Sequence, residues 1–240
     1  DINPYNNNYG PRNLCVFNER LYFSADNGIY GEELWGFDGA GEPVMVKDIC
    51  AGSCGSRPLY LTAFNNKLYF MAQYNALKHA LWEYDGISDL KLVSDIAIGH
   101  SGSSLSDFAV FKNKLIFIAD DGWHGLELWE YNGSTNPILV KDINPGTYSS
   151  YPSEFTVFEN KLYFTANKDT IENAPTLWEY DGINEPAMAF PGWEGTEISD
   201  LCVFNNKLYF SASDKTYGNE LWEYDGTVDP VLVKDIYPGY

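Results

Sequence analysis

Positive charge is scarce in this chain: 15 Lys and Arg stand against 34 Asp and Glu in 240 residues, a formal net charge of −19. No nucleic-acid partner is expected, because a binder needs cationic side chains to displace counterions from phosphates. An anionic membrane surface is disfavoured for the same reason. Long apolar runs are missing too; none approaches the roughly 20 residues that span a bilayer, so no membrane insertion is expected. No segment keeps a 3.6-residue hydrophobic period, so helix should be scarce. The chain has no initiating Met and no leader; it opens at Asp1, as expected of a processed mature protein or a piece of a longer one. Familiar catalytic signatures are absent: there is no Gly-x-Ser-x-Gly elbow, no His-Glu-x-x-His pair and no phosphate-cradling Gly loop. What the chain does have is 45% hydrophobic and 16% aromatic content, enough for a sizeable core and against disorder.

Those aromatics recur. Trp35, Trp82, Trp129, Trp178 and Trp222 lie 47, 47, 49 and 44 residues apart in near-identical surroundings, as in Leu128-Trp129-Glu130-Tyr131-Asn132-Gly133 and Leu221-Trp222-Glu223-Tyr224-Asp225-Gly226. An Asn-rich hairpin signature precedes each one (Phe64-Asn65-Asn66-Lys67-Leu68-Tyr69-Phe70), and a Val-Lys-Asp-Ile motif follows (Val140 to Ile143). Self-similarity at this period marks a repeat architecture. Each copy reads as four short strands: a hairpin across an Asn turn, a Gly-rich loop, the Trp strand, an Asp-Gly turn and a last strand. Large apolar groups on both faces of these strands call for burial on both sides. The expected fold class is therefore all-β, a five-bladed β-propeller with four-stranded antiparallel blades of about 47 residues. One domain over 1–240 is expected, with units of approximately 1–47, 48–94, 95–141, 142–190 and 191–240. An open solenoid is the rival. It would need polar terminal caps, and the first and last copies look like the middle ones. An Asp-Ile-x-Pro motif stands at both ends, at Asp1 to Pro4 and at Asp235 to Pro238. Either the duplicate ends lie together where a ring closes, or the chain belongs to a longer array.

Through Glu33-Leu34-Trp35-Gly36-Phe37-Asp38-Gly39 and its equivalent Glu220 to Gly226, the chain resembles the ELWxxDGT repeat proteins. The preceding Leu-Tyr-Phe-x-Ala and the following Val-Lys-Asp-Ile-x-Pro-Gly belong to the same likeness, which spans all five copies. That family is abundant among secreted and surface-exposed bacterial proteins, so the resemblance implies architecture and an extracellular setting, not an activity. Copies two and four depart from it, with Ala80 and Thr176 in place of the Glu. Size and blade count are also similar to the five-bladed tachylectin-type lectins, at the level of fold only.

Four cysteines suit an oxidising compartment, which agrees with a secreted, extracellular protein. Cys50 and Cys54 share a Gly/Ser loop where a small disulfide ring closes; a zinc site would need a second pair of ligands, and His79, His100 and His124 lack the spacing. Cys15 and Cys202 hold the same repeat position in units one and five. They form either a clasp across the ring seam or two buried free thiols. Equivalent residues on successive blades point the same way round, which opposes the clasp.

Function is expected in the loops, where the copies vary. In units one, three and five the loop before the Trp strand places Tyr30, His124 or Tyr217 three residues before a carboxylate, Glu33, Glu127 or Glu220. A sugar asks for such a pairing, a flat ring against its C–H face and acceptors for its hydroxyls. Trp123 and Trp193 fall outside the five template tryptophans and join the candidate carbohydrate-binding set. The competing structural reading has each Glu accepting the amides of its own Gly turn, and the two extra tryptophans packed between blades. No cofactor is required. Calcium is the one candidate ion, at Asp120-Asp121-Gly122, although the loop lacks the EF-hand order. Asn132-Gly133-Ser134 matches a glycosylation sequon. A glycosidase would need carboxylates from different blades set in one asymmetric cleft; here the acids repeat with the blades, so no enzyme is expected. The chain reads as a secreted, lectin-like protein with several shallow loop sites for glycans or a surface glycoconjugate. The alternative is a structural or adhesive module of a larger extracellular assembly, calcium-stabilised and binding a protein partner.

Overall fold

The computed structural model describes residues 2–3, 10–75, 78–94, 108–169, 174–193, 196–214, 216–236 and 238. His100, Asp1, Pro4, Tyr237 and the last two residues lie outside them, and with them part of the duplicated terminal motif. The described residues form twenty strands and no helix. Each of five sheets takes four consecutive strands in simple antiparallel order. The first holds β1 (Arg12–Phe17), β2 (Arg20–Asp26), β3 (Glu32–Phe37) and β4 (Val44–Lys47); the second holds β5 (Leu59–Phe64), β6 (Lys67–Asn75), β7 (Lys78–Tyr84) and β8 (Lys91–Ser94). The third holds β9 (Ala109–Phe111), β10 (Lys114–Ala119), β11 (Glu127–Tyr131) and β12 (Ile138–Lys141). The fourth holds β13 (Ser153–Phe158), β14 (Lys161–Ala166), β15 (Thr176–Tyr180) and β16 (Ala187–Met188), and the fifth β17 (Glu197–Phe204), β18 (Lys207–Asp214), β19 (Gly218–Tyr224) and β20 (Val231–Lys234). This is the five-bladed β-propeller class that the repeat predicts. By contacts the chain divides into two compact units, Asp1–Ser101 with Tyr131–Pro137, and Gly102–Glu130 with Ile138–Tyr240.

Asparagine makes the hairpins. Asn18 and Glu19 turn β1 into β2 with φ of 47° and 60°, and Asn65-Asn66, Lys112-Asn113, Glu159-Asn160 and Asn205-Asn206 repeat that left-handed pair. Two residues with positive φ give the turn whose twist matches paired strands, and Asn tolerates it. The second and third strands are buried on both faces: Tyr22, Phe23, Leu34 and Trp35 are all at 9% exposure or less. Trp129, Trp178 and Trp222 are buried likewise, while Trp82 is half-buried. The indole of Trp35 donates to the carbonyl of Ala25 (2.9 Å), Trp82 to Ala72 (3.2 Å) and Trp178 to Ala166 (3.3 Å), so these large side chains enter the core with their N–H groups satisfied.

The first strand of a blade carries an unforeseen irregularity. In β1, β5, β13 and β17 the register with the second strand shifts near the start. At each shift a residue is left-handed: Asn13 (φ 53°), Tyr60 (58°), Glu154 (59°) and Asp200 (59°). Such bulges re-aim side chains. Asn13 uses its new direction to donate to Ser24 Oγ and to the Pro58 carbonyl ahead of β5, both at 3.2 Å.

Two glycines let the loop before the Trp strand touch the connection that follows the blade. A Cβ on Gly31 (φ +72°) would stand 2.7 Å from Gly55 Cα, and one on Gly125 (φ +65°) 2.5 Å from the Tyr148 carbonyl oxygen. Gly125→Ala is expected to cost about 2–4 kcal/mol, combining backbone strain and clash, in a denaturant titration. Gly122→Ala, at φ +86° but facing open space, should cost only the strain, about 1–2 kcal/mol.

Candidate functional site

The loops before the Trp strands are ordered by their own side chains. In blade one Asp26 Oδ1 accepts the Gly28 amide (2.7 Å), and Asn27 Oδ1 accepts those of Ile29 and Tyr30 (3.0 and 3.1 Å). Blade three repeats this more tightly. Asp120 Oδ1 accepts the Gly122 amide (2.6 Å), and Asp121 Oδ1 accepts the amides of Trp123 and His124 (2.9 and 3.0 Å). The second oxygen of Asp121 meets His124 Nδ1 at 2.8 Å, which raises the imidazole pKa by stabilising its charged form. These carboxylates are turned onto their own loop, and no group of three or more His, Cys, Asp or Glu among the described residues is placed to hold a metal ion.

In blades one and three such a loop carries an exposed aromatic ring, whereas Tyr217 of blade five, partly exposed, packs edge-on against the core residue Trp222 (6.4 Å between centroids). Trp123 keeps 75% of its surface exposed, Tyr217 41% and Tyr30 37%. On blade three the loop runs beside the segment before β13: Ser149 Oγ accepts the Leu126 amide (2.9 Å), and the Leu126 carbonyl accepts the Ser150 amide (3.1 Å). That segment adds Tyr148 and Tyr151, both half-exposed or more, which sequence reasoning missed. The signal was available: Tyr148 and Tyr151 stand where blade one has Cys54 and Arg57, and such departures from a template mark its variable surface.

Three candidate carboxylates leave the set. Glu33 and Glu127 are fully buried and Glu220 nearly so, so none can meet a ligand from solvent. Glu33 accepts the amides of Ile49 (3.1 Å), Cys50 (3.3 Å) and Ser56 (2.9 Å) and the Ser56 hydroxyl. Glu127 does the same with Ile143 (3.1 Å), Asn144 (3.2 Å) and Ser150 (3.1 Å) and with Ser150 Oγ. Glu220 accepts the Ile236 amide at 2.8 Å. The amides come from the connection after the fourth strand, not from the Gly turn that the structural reading named. Burial, the largest influence, pushes the Glu127 carboxyl up to about 7 against the lowering pull of its hydrogen bonds; Glu33 is raised by the same cause.

Trp193 also leaves the set. It is half-buried and packs edge-on against Trp222 (4.9 Å between centroids) and beside Phe190 (5.7 Å), as part of the fifth blade's core. Cys50 and Cys54 are joined as a disulfide. Cys15 and Cys202 are free thiols, so the seam clasp is not formed. Cys15 looks toward the backbone of Ala63 in β5 of the next blade, and burial pushes its thiol pKa up. Cys202 is exposed instead of buried.

Comparison with protein-family models finds no match, and comparison with curated proteins finds none. Among solved structures the chain is similar to the β-propeller domain of the Trilobed protease from Pyrococcus furiosus, described as having an open velcro topology. The identity is 12% over 92% of this chain and 71% of that one, with a TM-score of 0.51. It is also similar to a Mycobacterium tuberculosis puromycin-hydrolyzing peptidase (13% identity, 94% of this chain and 38% of that one, TM-score 0.58). The Pyrococcus horikoshii acylaminoacyl peptidase is a third (12% identity, 94% and 38%, TM-score 0.52). The chain thus spans 38% of the length of either peptidase. At such identities the likeness is one of fold, and the class it defines is the β-propeller. No helix among the described residues is long and apolar enough to cross a membrane.

Proposed function

We propose that this chain is a non-enzymatic carbohydrate-binding β-propeller that works outside the cell. Trp123 carries the reading: an indole three-quarters exposed, on a loop fixed by Asp121, costs hydrophobic free energy that a ligand stacking on it would recover. His124 and the neighbouring Tyr148 supply polar edges for hydroxyl groups. The principal site is therefore the blade-three loop, with Tyr30 and Tyr217 as lesser equivalents, and the shallow sites reinforce one another on a glycan-coated surface. The Cys50–Cys54 disulfide and the ELWxxDGT resemblance support the extracellular setting.

A glycan array tests this. Trp123→Ala should weaken retention of the best glycan about tenfold while the melting temperature holds, because the ring leaves the core untouched. An array without signal, or equal binding by the variant, overturns the reading. A second reading, an adhesive module for a protein partner, is favoured by Ile87 and Ile183, aliphatic side chains 92% and 84% exposed at the tips of the turns after β7 and β15. Under it, serine at both positions abolishes adhesion while glycan binding is unaffected. If that module is calcium-stabilised, EDTA lowers its melting temperature.

A further inference from the structure

The second compact unit contains a cavity of about 480 Å³ beside the first strands β9, β13 and β17, within the range of small-molecule sites. Its apolar wall is Phe108, Phe155 and Leu201; its polar wall is Thr156 and two carboxylates, Glu154 and Asp200. Both rings have a core neighbour, Phe108 packing on Phe117 (5.7 Å between centroids) and Phe155 edge-on to Phe164 (6.2 Å). The two carboxylates are the left-handed bulge residues of β13 and β17. Glu154 is steadied by the Leu201 amide, which donates to its Oε2 at 3.0 Å, and the Ser199 hydroxyl donates to Asp200 Oδ2 at 3.2 Å.

We infer that this cavity binds a small organic cation, one that carries ammonium and guanidinium groups at the ends of a short apolar stem. The wall presents two anionic acceptors and no cationic side chain, and aromatic faces attract cations. The net charge of −19 adds a field of the same sense, which repels anions. A divalent metal ion wants six or more oxygen ligands; this wall offers only two carboxylates and one hydroxyl, and among the described residues no third His, Cys, Asp or Glu joins them. The charged ends are met by Glu154 and Asp200, and the stem lies along Phe108, Phe155 and Leu201. The acids are particular to this part of the chain. The same bulge position holds Asn13 in blade one and Tyr60 in blade two. Asp107 holds it by sequence in blade three, outside the described residues.

Calorimetric titration with agmatine, and with pentanediol as the neutral comparator, tests the assignment. Agmatine should saturate a single site, weaken with added salt, and outcompete pentanediol. The Glu154→Gln/Asp200→Asn double variant keeps the acceptor for the Leu201 amide and places Asn where left-handed backbone favours it; it should lose binding roughly tenfold per charge removed. If its melting temperature falls, Asp200→Asn alone, at an exposed position, should still show the tenfold loss. Failure of agmatine to saturate at millimolar concentration, or equal affinity for the double variant, overturns the proposal. So does equal affinity for pentanediol, or binding of an arginine-bearing peptide where agmatine does not bind. Trp123→Ala should leave the titration unchanged, which separates this site from the glycan reading.

Discussion

Glu127→Ala lowers the unfolding free energy by about 3–5 kcal/mol in a denaturant titration, the largest loss expected of any single substitution outside the aromatic core. The side chain is fully buried and gathers three backbone amides and one hydroxyl from the connection between β12 and β13. Removing it strands those donors away from solvent, and an unmet buried donor costs about 1–3 kcal/mol. Glu127→Gln is no rescue, because its amide group turns donors toward donors. Blade four shows what tolerance requires. With Thr176 in the Glu position, Thr176 Oγ1 donates to the Ala166 carbonyl and the Ala189 amide to that of Leu177. There the chain takes another route, and the carboxylate is dispensable.

The second large effect is on pH dependence, and it opposes the usual acid lability of proteins. The Glu127 carboxyl is pushed from 4.5 up to about 7 by burial, so the folded chain holds that proton more tightly than the unfolded chain does. Its contribution to stability is complete below about pH 4.5 and is lost as pH rises through 7, up to about 3 kcal/mol at about 1.4 kcal/mol per pH unit. Glu33 acts in the same direction. At the acid end Asp85 and Asp181 work the other way. Amides of their turns hold both near 2, so their contribution is lost only as pH falls toward that value. The melting temperature should therefore peak near pH 4–5 and decline toward pH 8, and Glu127→Ala should flatten the decline. A wild-type profile that rises steadily from pH 5 to 8 would contradict this.

The architecture was legible because repetition makes weak signals add. One Asn-bearing pair is a poor turn predictor, but five at the same step, each between a Phe and the start of the next strand, leave few options, and the φ values there bear the turn out. Burial of Tyr22 and Phe23 on opposite faces of β2 followed from their adjacency. Site chemistry was harder. Spacing put Glu33 three residues beyond Tyr30, yet alternation along the strand sends the carboxylate inward, where amides more than 15 residues away claim it. Trp193 lacked a template position and still found a core neighbour in Trp222. The bulge residues were invisible for a different reason. Asn13, Tyr60, Glu154 and Asp200 share no chemistry, only a backbone angle, and a residue-type comparison cannot register that.

The buried carboxylate and its amides are out of step with the sheets. Glu33 lies in β3, but its donors span residues 49 to 56, past β4 and just short of β5. A crossover in the gene that fell between Lys47 and Leu59 would part the acid from the groups that neutralise its appetite for solvent. One that fell in the Asn18-Glu19 bend and its counterpart at Asn65-Asn66 would move both as a set. Breakpoints in those bends are thus the ones by which arrays of this kind can gain or shed a copy without leaving an orphaned charge behind.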